Sequence, residues 1–161
     1  MIAKHRNTIK FLILSATALM ILTALAYGHV QMSPRESAAG ATEKYTMRVP
    51  NEKTVPNVRI EAEFPAAVLV TELEAKPGWK IEPKKDTSGR ITGATWSGSS
   101  IAPREVAEFS FHARNPNEDT KLVWNVTQTY EDGSKSEWTG AEGSRSPAPV
   151  TTVRKSGVAK E

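Results

Sequence analysis

The chain has no cysteine, which excludes disulfides, thiolate nucleophiles and thiolate metal sites. Aromatic residues make up only 7% of it, and histidine occurs three times in 161 residues. No segment carries apolar residues at a 3.6-residue period over three turns, so a helical or α/β fold is excluded as the main architecture. Gly-x-Ser-x-Gly, His-Glu-x-x-His and a glycine-rich phosphate loop are all missing, and with them the readable signs of a hydrolase, a zinc protease or a nucleotide-binding enzyme. Net charge is missing as well, once the first 28 residues are set aside. The whole chain holds 21 Lys+Arg against 18 Asp+Glu; the leading segment holds three bases, Lys4, Arg6 and Lys10, and no acid, which leaves 18 against 18. A near-neutral body has no bulk field with which to attract nucleic acid or an anionic membrane surface.

What is present begins with an export signal. A basic start is followed by an almost wholly apolar stretch from Phe11 to Ala26, the right length for the core of a signal peptide and short of the roughly 20 residues of a membrane span. Two cleavage sites fit the small-x-small rule. Cutting after Ala24-Leu25-Ala26 leaves Tyr27 first, and cutting after Ala26-Tyr27-Gly28 leaves His29 first. The second start has chemical consequences, because the amine and the ring Nδ1 of an N-terminal histidine can close a chelate ring on one metal ion. Sequence rules alone leave both cuts open. The expectation for the processed protein is a periplasmic or secreted chain with no membrane span.

The remainder reads as strands. Tyr45, Met47 and Val49 alternate with polar residues, as do Val58, Ile60, Ala62 and Phe64, then Ala107, Phe109, Phe111 and Ala113. Leu122, Trp124, Val126, Gln128 and Tyr130 form the longest such run. Breakers separate them: Pro50-Asn51, Pro56-Asn57, Lys76-Pro77-Gly78, Ser88-Gly89, Asn115-Pro116-Asn117 and Asp132-Gly133, the last placed as a hairpin tip. The pattern predicts a single all-β domain over 29–140: an immunoglobulin/fibronectin-like or cupredoxin-like β-sandwich of about eight strands. Residues 141–161 are rich in Ser, Pro, Gly and Lys without periodicity and are expected to be a disordered tail.

Several short motifs, in order, resemble one family. They are His29-Val30 behind the leader, Pro34-x-Glu36, Val49-Pro50-Asn51-Glu52, Lys76-Pro77-Gly78-Trp79, Trp96-Ser97-Gly98, Trp124, and Asp132-Gly133 followed by Glu137-Trp138. Together they are similar to the YcnI-like (DUF1775) exported domains, over roughly His29 to Trp138. The resemblance implies Cu(II) held by the amine and ring of a first-residue His29, joined by Glu36, with Trp138 packed near the metal. It favours cleavage after Gly28. It also implies partners in copper handling, either an inner-membrane copper importer or a periplasmic copper chaperone. Many members carry a C-terminal membrane anchor, and this sequence shows no apolar stretch for one.

Each candidate has a plainer reading. A histidine just behind a cleavage site can be coincidence, Glu36 can be a solvated loop acid, and tryptophans are most often core, which is the reading for Trp79, Trp96 and Trp124. His112 falls opposite Phe109 and Phe111 and reads as a surface residue. Met32 and Met47 occupy apolar positions and read as core. Cu(II) suits a site of nitrogens and one carboxylate. The expected function is therefore copper acquisition, storage or delivery without catalysis. A non-metal immunoglobulin-like interaction module is the alternative; a copper-dependent oxidative enzyme would need a second metal-binding histidine, which only His112 could supply.

Overall fold

The computed structural model describes residues 28–155. The expected leader lies outside them except for Gly28, as do residues 156–161. Twelve strands follow one another among the described residues: β1 (Gln31–Ser33), β2 (Glu36–Ala38), β3 (Thr42–Pro50), β4 (Asn57–Glu63), β5 (Leu69–Leu73), β6 (Lys80–Lys85), β7 (Ile91–Ser97), β8 (Val106–Arg114), β9 (Thr120–Val123), β10 (Asn125–Tyr130), β11 (Lys135–Trp138) and β12 (Val150–Arg154). The all-β sandwich expected from the sequence is what forms, with more and shorter strands than the predicted eight.

Nine strands make one sheet in the order β1-β3-β8-β5-β7-β4-β10-β11, with β6 paired to β7. The alternating runs supply its inward face. Tyr45, Met47 and Val49 of β3 lie level with Phe111, Phe109 and Ala107 of β8; all but the partly buried Ala107 belong to the closed core. Between β5 and β7 the pairing shrinks to a single position, Val70 opposite Ile91. There the sheet turns a corner, and its two halves face each other. Trp96 of β7 meets Phe109 of β8 across the interior, with ring centroids 5.3 Å apart.

The long run Leu122–Tyr130 does not stay in one sheet. It breaks at Trp124, whose backbone N–H donates to the Pro149 carbonyl at 3.0 Å. Its first part, β9, joins a second sheet ordered β2-β12-β9, and its second part, β10, stays in the large one. Trp124 is fully buried against Tyr45, Phe64 and Phe111, with centroids 4.8, 6.2 and 5.5 Å away. Burying four aromatic rings together supplies a large share of the apolar area removed from water.

Two expectations need correction. Residues 141–161 are not a disordered tail over their whole length. β12 is the central strand of the small sheet, antiparallel to β9 and parallel to β2, and Ala148, Thr151 and Val153 are buried. Val150-Thr151-Thr152-Val153 is a run of four β-branched residues, too short to show periodicity but strongly favourable in a strand. The domain therefore reaches Arg154, past the expected boundary at 140. The second correction is in β4, where a register shift opposite Thr129 and Tyr130 buries Asn57 and leaves Val58 partly exposed.

Among the described residues, no helix is long and apolar enough to cross a membrane.

Candidate functional site

The two ends of the large sheet are β1 and β11, and they close on one another at a single aromatic contact. His29 lies two residues before β1. Trp138 is the last residue of β11. Their rings sit 5.3 Å apart, tilted by 56°. The hairpin that delivers Trp138 forms at the tip expected from the sequence. The Gly133 N–H donates to the Tyr130 carbonyl at 2.9 Å, and the Ser134 N–H to the Asp132 carboxylate at 2.9 Å. Gly133 takes a φ of 80°, a left-handed conformation that glycine adopts without strain. Register then sets Trp138 opposite Val126, on the inward face.

A buried amide fixes the indole. Trp138 Nε1–H donates to Gln128 Oε1 at 2.7 Å, and Gln128 Nε2 donates to the Pro50 carbonyl at 2.9 Å. Gln128 is fully buried, and both ends of its side chain are satisfied, as a buried polar group requires. One side chain thus ties the tryptophan on β11 to the end of β3. The sequence held a sign of this, because Gln128 is a polar residue on the apolar face of the longest alternating run.

Beyond Pro50 comes Asn51-Glu52-Lys53, a loop pinned from several directions. Asn51 is 1% exposed. Its Nδ2 donates to the carbonyls of Val55 and Ile101, both at 2.9 Å, and its Oδ1 accepts from the Lys53 N–H at 2.9 Å, an Asx turn that curls the backbone around Glu52. The neighbouring turn at Ala102–Glu105 adds two backbone bonds, Arg104 N–H to the Asn51 carbonyl and Asn51 N–H to the Glu105 carbonyl, each 2.9 Å. Arg104 has a φ of 67°, a conformation that is costly for a residue with a side chain.

The Glu52 carboxylate comes to rest against Gly28. A methyl group on Gly28 would run into that carboxylate, which would have to swing aside to admit it. Gly28 is buried. The antiparallel pairing of β1 with β3, Gln31 opposite Arg48, explains the meeting: continued by two residues it sets His29 level with Pro50. His29, Glu52, Gln128, Tyr130 and Trp138 line a common cavity of about 480 Å³. Burial pushes the Tyr130 hydroxyl above its usual pKa, and the negative charge of Glu52 adds to the shift.

Glu36 is not the carboxylate at this site. It opens β2, is exposed, and is in register with Thr152 of the small sheet; it lines neither of the two cavities that His29 lines. After Pro34 the chain leaves the large sheet, so seven residues of sequence separation do not bring this acid back to His29. The acid that shares a cavity with His29 is Glu52, in the quoted Val49-Pro50-Asn51-Glu52 motif.

His112 is also elsewhere. Its Nε2 lies 2.9 Å from Glu74 Oε1, while the other Glu74 oxygen accepts from Lys44 Nζ at 2.8 Å. Those two partners hold the Glu74 carboxyl below the usual range, Lys44 with the larger effect. The second histidine an oxidative copper enzyme would require is thus not at His29. Met32 and Met47 are core residues. Among the described residues, no three His, Cys, Asp or Glu side chains come together as a metal cluster.

Three comparisons bear on this arrangement. A Bacillus subtilis (strain 168) protein named copper-binding protein CutI is 36% identical over 138 residues, which cover 84% of this chain and 67% of that protein. A crystal structure of an uncharacterized Nocardia farcinica protein, described as revealing an immunoglobulin-like fold, is similar with a TM-score of 0.68 at 23% identity, covering 79% of this chain and 99% of that one. A cohesin module from a Clostridium perfringens family 33 glycoside hydrolase has a TM-score of 0.54 at 13% identity, covering 81% and 98%. The two solved structures bear out the immunoglobulin-like sandwich. Residues 29–153 match the family described as "Domain of unknown function (DUF1775)", and this chain belongs to that family.

Proposed function

We propose that this chain is an exported protein which, once cleaved after Gly28, binds one Cu(II) ion and keeps it for storage or hand-over. The observation that carries the reading is the contact between Gly28 and the Glu52 carboxylate. Removing residues 1–28 frees the amine of His29 beside that carboxylate. Three donors would then converge: the amine, the imidazole Nδ1 and one Glu52 oxygen. Two nitrogens and a carboxylate suit Cu(II), which also stands highest in the divalent affinity order. Trp138 would cover one side of the imidazole and limit access of water. Its N–H is a donor only and is already given to Gln128, so it would shield the metal without ligating it.

The similarity to a protein named for copper binding supports the same reading. Nothing in the site calls for catalysis, and the pinned Asn51–Lys53 loop suits a rigid holder. The giver or taker of the metal would be another copper-handling protein, a periplasmic chaperone or a membrane importer.

The intact mass of the exported protein tests the cut, and a start at Tyr27 overturns the proposal. The processed protein should bind one equivalent of Cu(II) with a nitrogen-rich paramagnetic spectrum. His29→Ala, or a single residue added before His29, should abolish tight binding. Glu52→Gln should weaken it at least ~tenfold, the low end for groups around a metal, whereas Glu36→Gln should leave it unchanged. The amine ordinarily titrates near pH 8, so capture displaces a proton and affinity should fall as pH falls.

A further inference from the structure

Glu52 is an exposed residue on a loop, with a long side chain whose ordering costs rotamer freedom. A backbone free to swing would add to that cost. A donor placed before the metal arrives binds it more tightly, because the ordering has already happened in folding. What places the Glu52 backbone is its neighbour. Pro50, Glu52 and Lys53 line the cavity that His29 lines, and Asn51 does not.

Asn51 gives its whole amide to the backbone. An asparagine side chain offers two N–H groups and one carbonyl oxygen. Both N–H groups are donated, one to the Val55 carbonyl in the same loop and one to the Ile101 carbonyl in the connection between β7 and β8; the oxygen accepts the Lys53 N–H. Ile101 is itself fixed, since its N–H and carbonyl pair with Asn57 at 2.9 and 3.0 Å. On the other side of Glu52, Lys53 crosses to the hairpin that carries Trp138. Its Nζ donates to Ser134 Oγ at 2.8 Å and lies 4.1 Å from the centre of the Tyr130 ring. Glu52 thus sits between two anchored residues, and the bond that joins them spans it. Aspartate could accept from Lys53 but has no N–H for the two carbonyls. Serine can form the same turn more weakly, and alanine can form none of it.

We propose that Asn51 is a positioning residue for copper: it does not ligate the metal, and it acts by presenting Glu52 to a metal held at His29. The inference rests on the copper reading above and deepens it, because the affinity of the site then depends on a buried amide outside the donor set.

The test uses the processed protein starting at His29, Cu(II) as the added metal, and the variants Asn51→Ala, Asn51→Ser, Glu52→Gln and Asn51→Ala/Glu52→Gln. Both single changes at Asn51 should lower Tm, since neither can donate to Val55 and Ile101 together. Only serine keeps an acceptor for the Lys53 N–H. In the metal-free protein the Lys53 amide should therefore exchange slowly with solvent in wild type and Asn51→Ser, and fast in Asn51→Ala. Cu(II) affinity should fall at least ~tenfold in Asn51→Ala, the low end for groups around a metal, and stay close to wild type in Asn51→Ser. Adding Asn51→Ala to Glu52→Gln should weaken binding no further, because a residue that acts through Glu52 has nothing left to act on. The proposal is overturned if Asn51→Ala binds as tightly as wild type, if serine loses as much affinity as alanine, or if the two losses multiply in the double variant. Should Asn51→Ala fail to fold, Asn51→Ser decides: near wild-type affinity with a protected Lys53 amide supports the proposal, and a ~tenfold loss with that amide still protected overturns it. Unchanged binding in Glu52→Gln would instead overturn the place of Glu52 in the copper reading, and this inference with it.

Discussion

Trp124 and Trp138 are the same residue type in two different settings. Trp124 sits at the centre of the sandwich, inside a ring of Tyr45, Phe64 and Phe111, and its indole N–H reaches Thr151 at 3.2 Å. Trp138 sits where the two edges of the large sheet meet, with His29 on one side and the Gln128 amide on the other. In the first setting aromatic mass is joined to aromatic mass, and what results is stability. In the second a single buried hydrogen-bond chain, Trp138 to Gln128 to Pro50, sets position. The lesson is that the two roles of tryptophan are distinguished by what the indole N–H is tied to and by whether the ring faces the middle or the rim.

The comparison can be broken by substitution. The largest effect is expected from Trp124→Ala, which should cost about 3–5 kcal/mol of stability in denaturant unfolding; at temperatures where the variant is still folded, its copper titration should match wild type. Next comes an alkaline transition in the same region. The Tyr45 hydroxyl, hydrogen-bonded to Asn115, is pushed by burial up to about 12. Because the folded chain favours the neutral form, its contribution is complete below pH 10 and is lost as pH rises through about 12. Unfolding midpoints should fall across that window, and Tyr45→Phe should flatten the fall.

Gln128→Leu sharpens the contrast at the rim. It leaves the Trp138 N–H and the Pro50 carbonyl without their partner, at a cost of about 1–3 kcal/mol. The copper spectrum should change too, which Trp124→Ala should not achieve; an unchanged spectrum would make Gln128 a plain core residue. The smallest effect is a gain. Arg104→Gly relieves the left-handed conformation at Arg104 and should stabilise by about 1 kcal/mol, read as a small rise in Tm.

The sandwich was legible because its inner face is written with period two and its turns with Pro, Gly, Asn and Asp. The Asp132-Gly133 tip and the aromatic positions of β3 and β8 could be placed from those signals alone. β12 was not legible, since four β-branched residues inside a Ser- and Pro-rich stretch carry no period to detect. The split of the longest run at Trp124 was hidden for the opposite reason: its alternation continues unbroken while the chain passes from one sheet to the other. At the site, His29 and Trp138 were found together, as the sequence reading expected. Glu36 came from laying the family resemblance onto the nearest Pro-x-Glu motif, whereas the antiparallel register of β1 on β3 brings Glu52 near His29 instead. Gln128 was missed because its partners are an indole and a carbonyl from two other strands, and no local pattern encodes that.

The central position of β12 in the small sheet has a consequence for how the chain matures. Both neighbours of that strand, β2 and β9, are synthesised well before it, and each waits without a ladder partner until residues 150–154 arrive. A chain emerging N-terminus first, from a ribosome or through a membrane pore, therefore finishes this part of its architecture only when nearly all the described residues are out. Tags fused after Lys155 should be harmless, while shortening the chain to residue 140 should leave two sticky borders and a protein that aggregates.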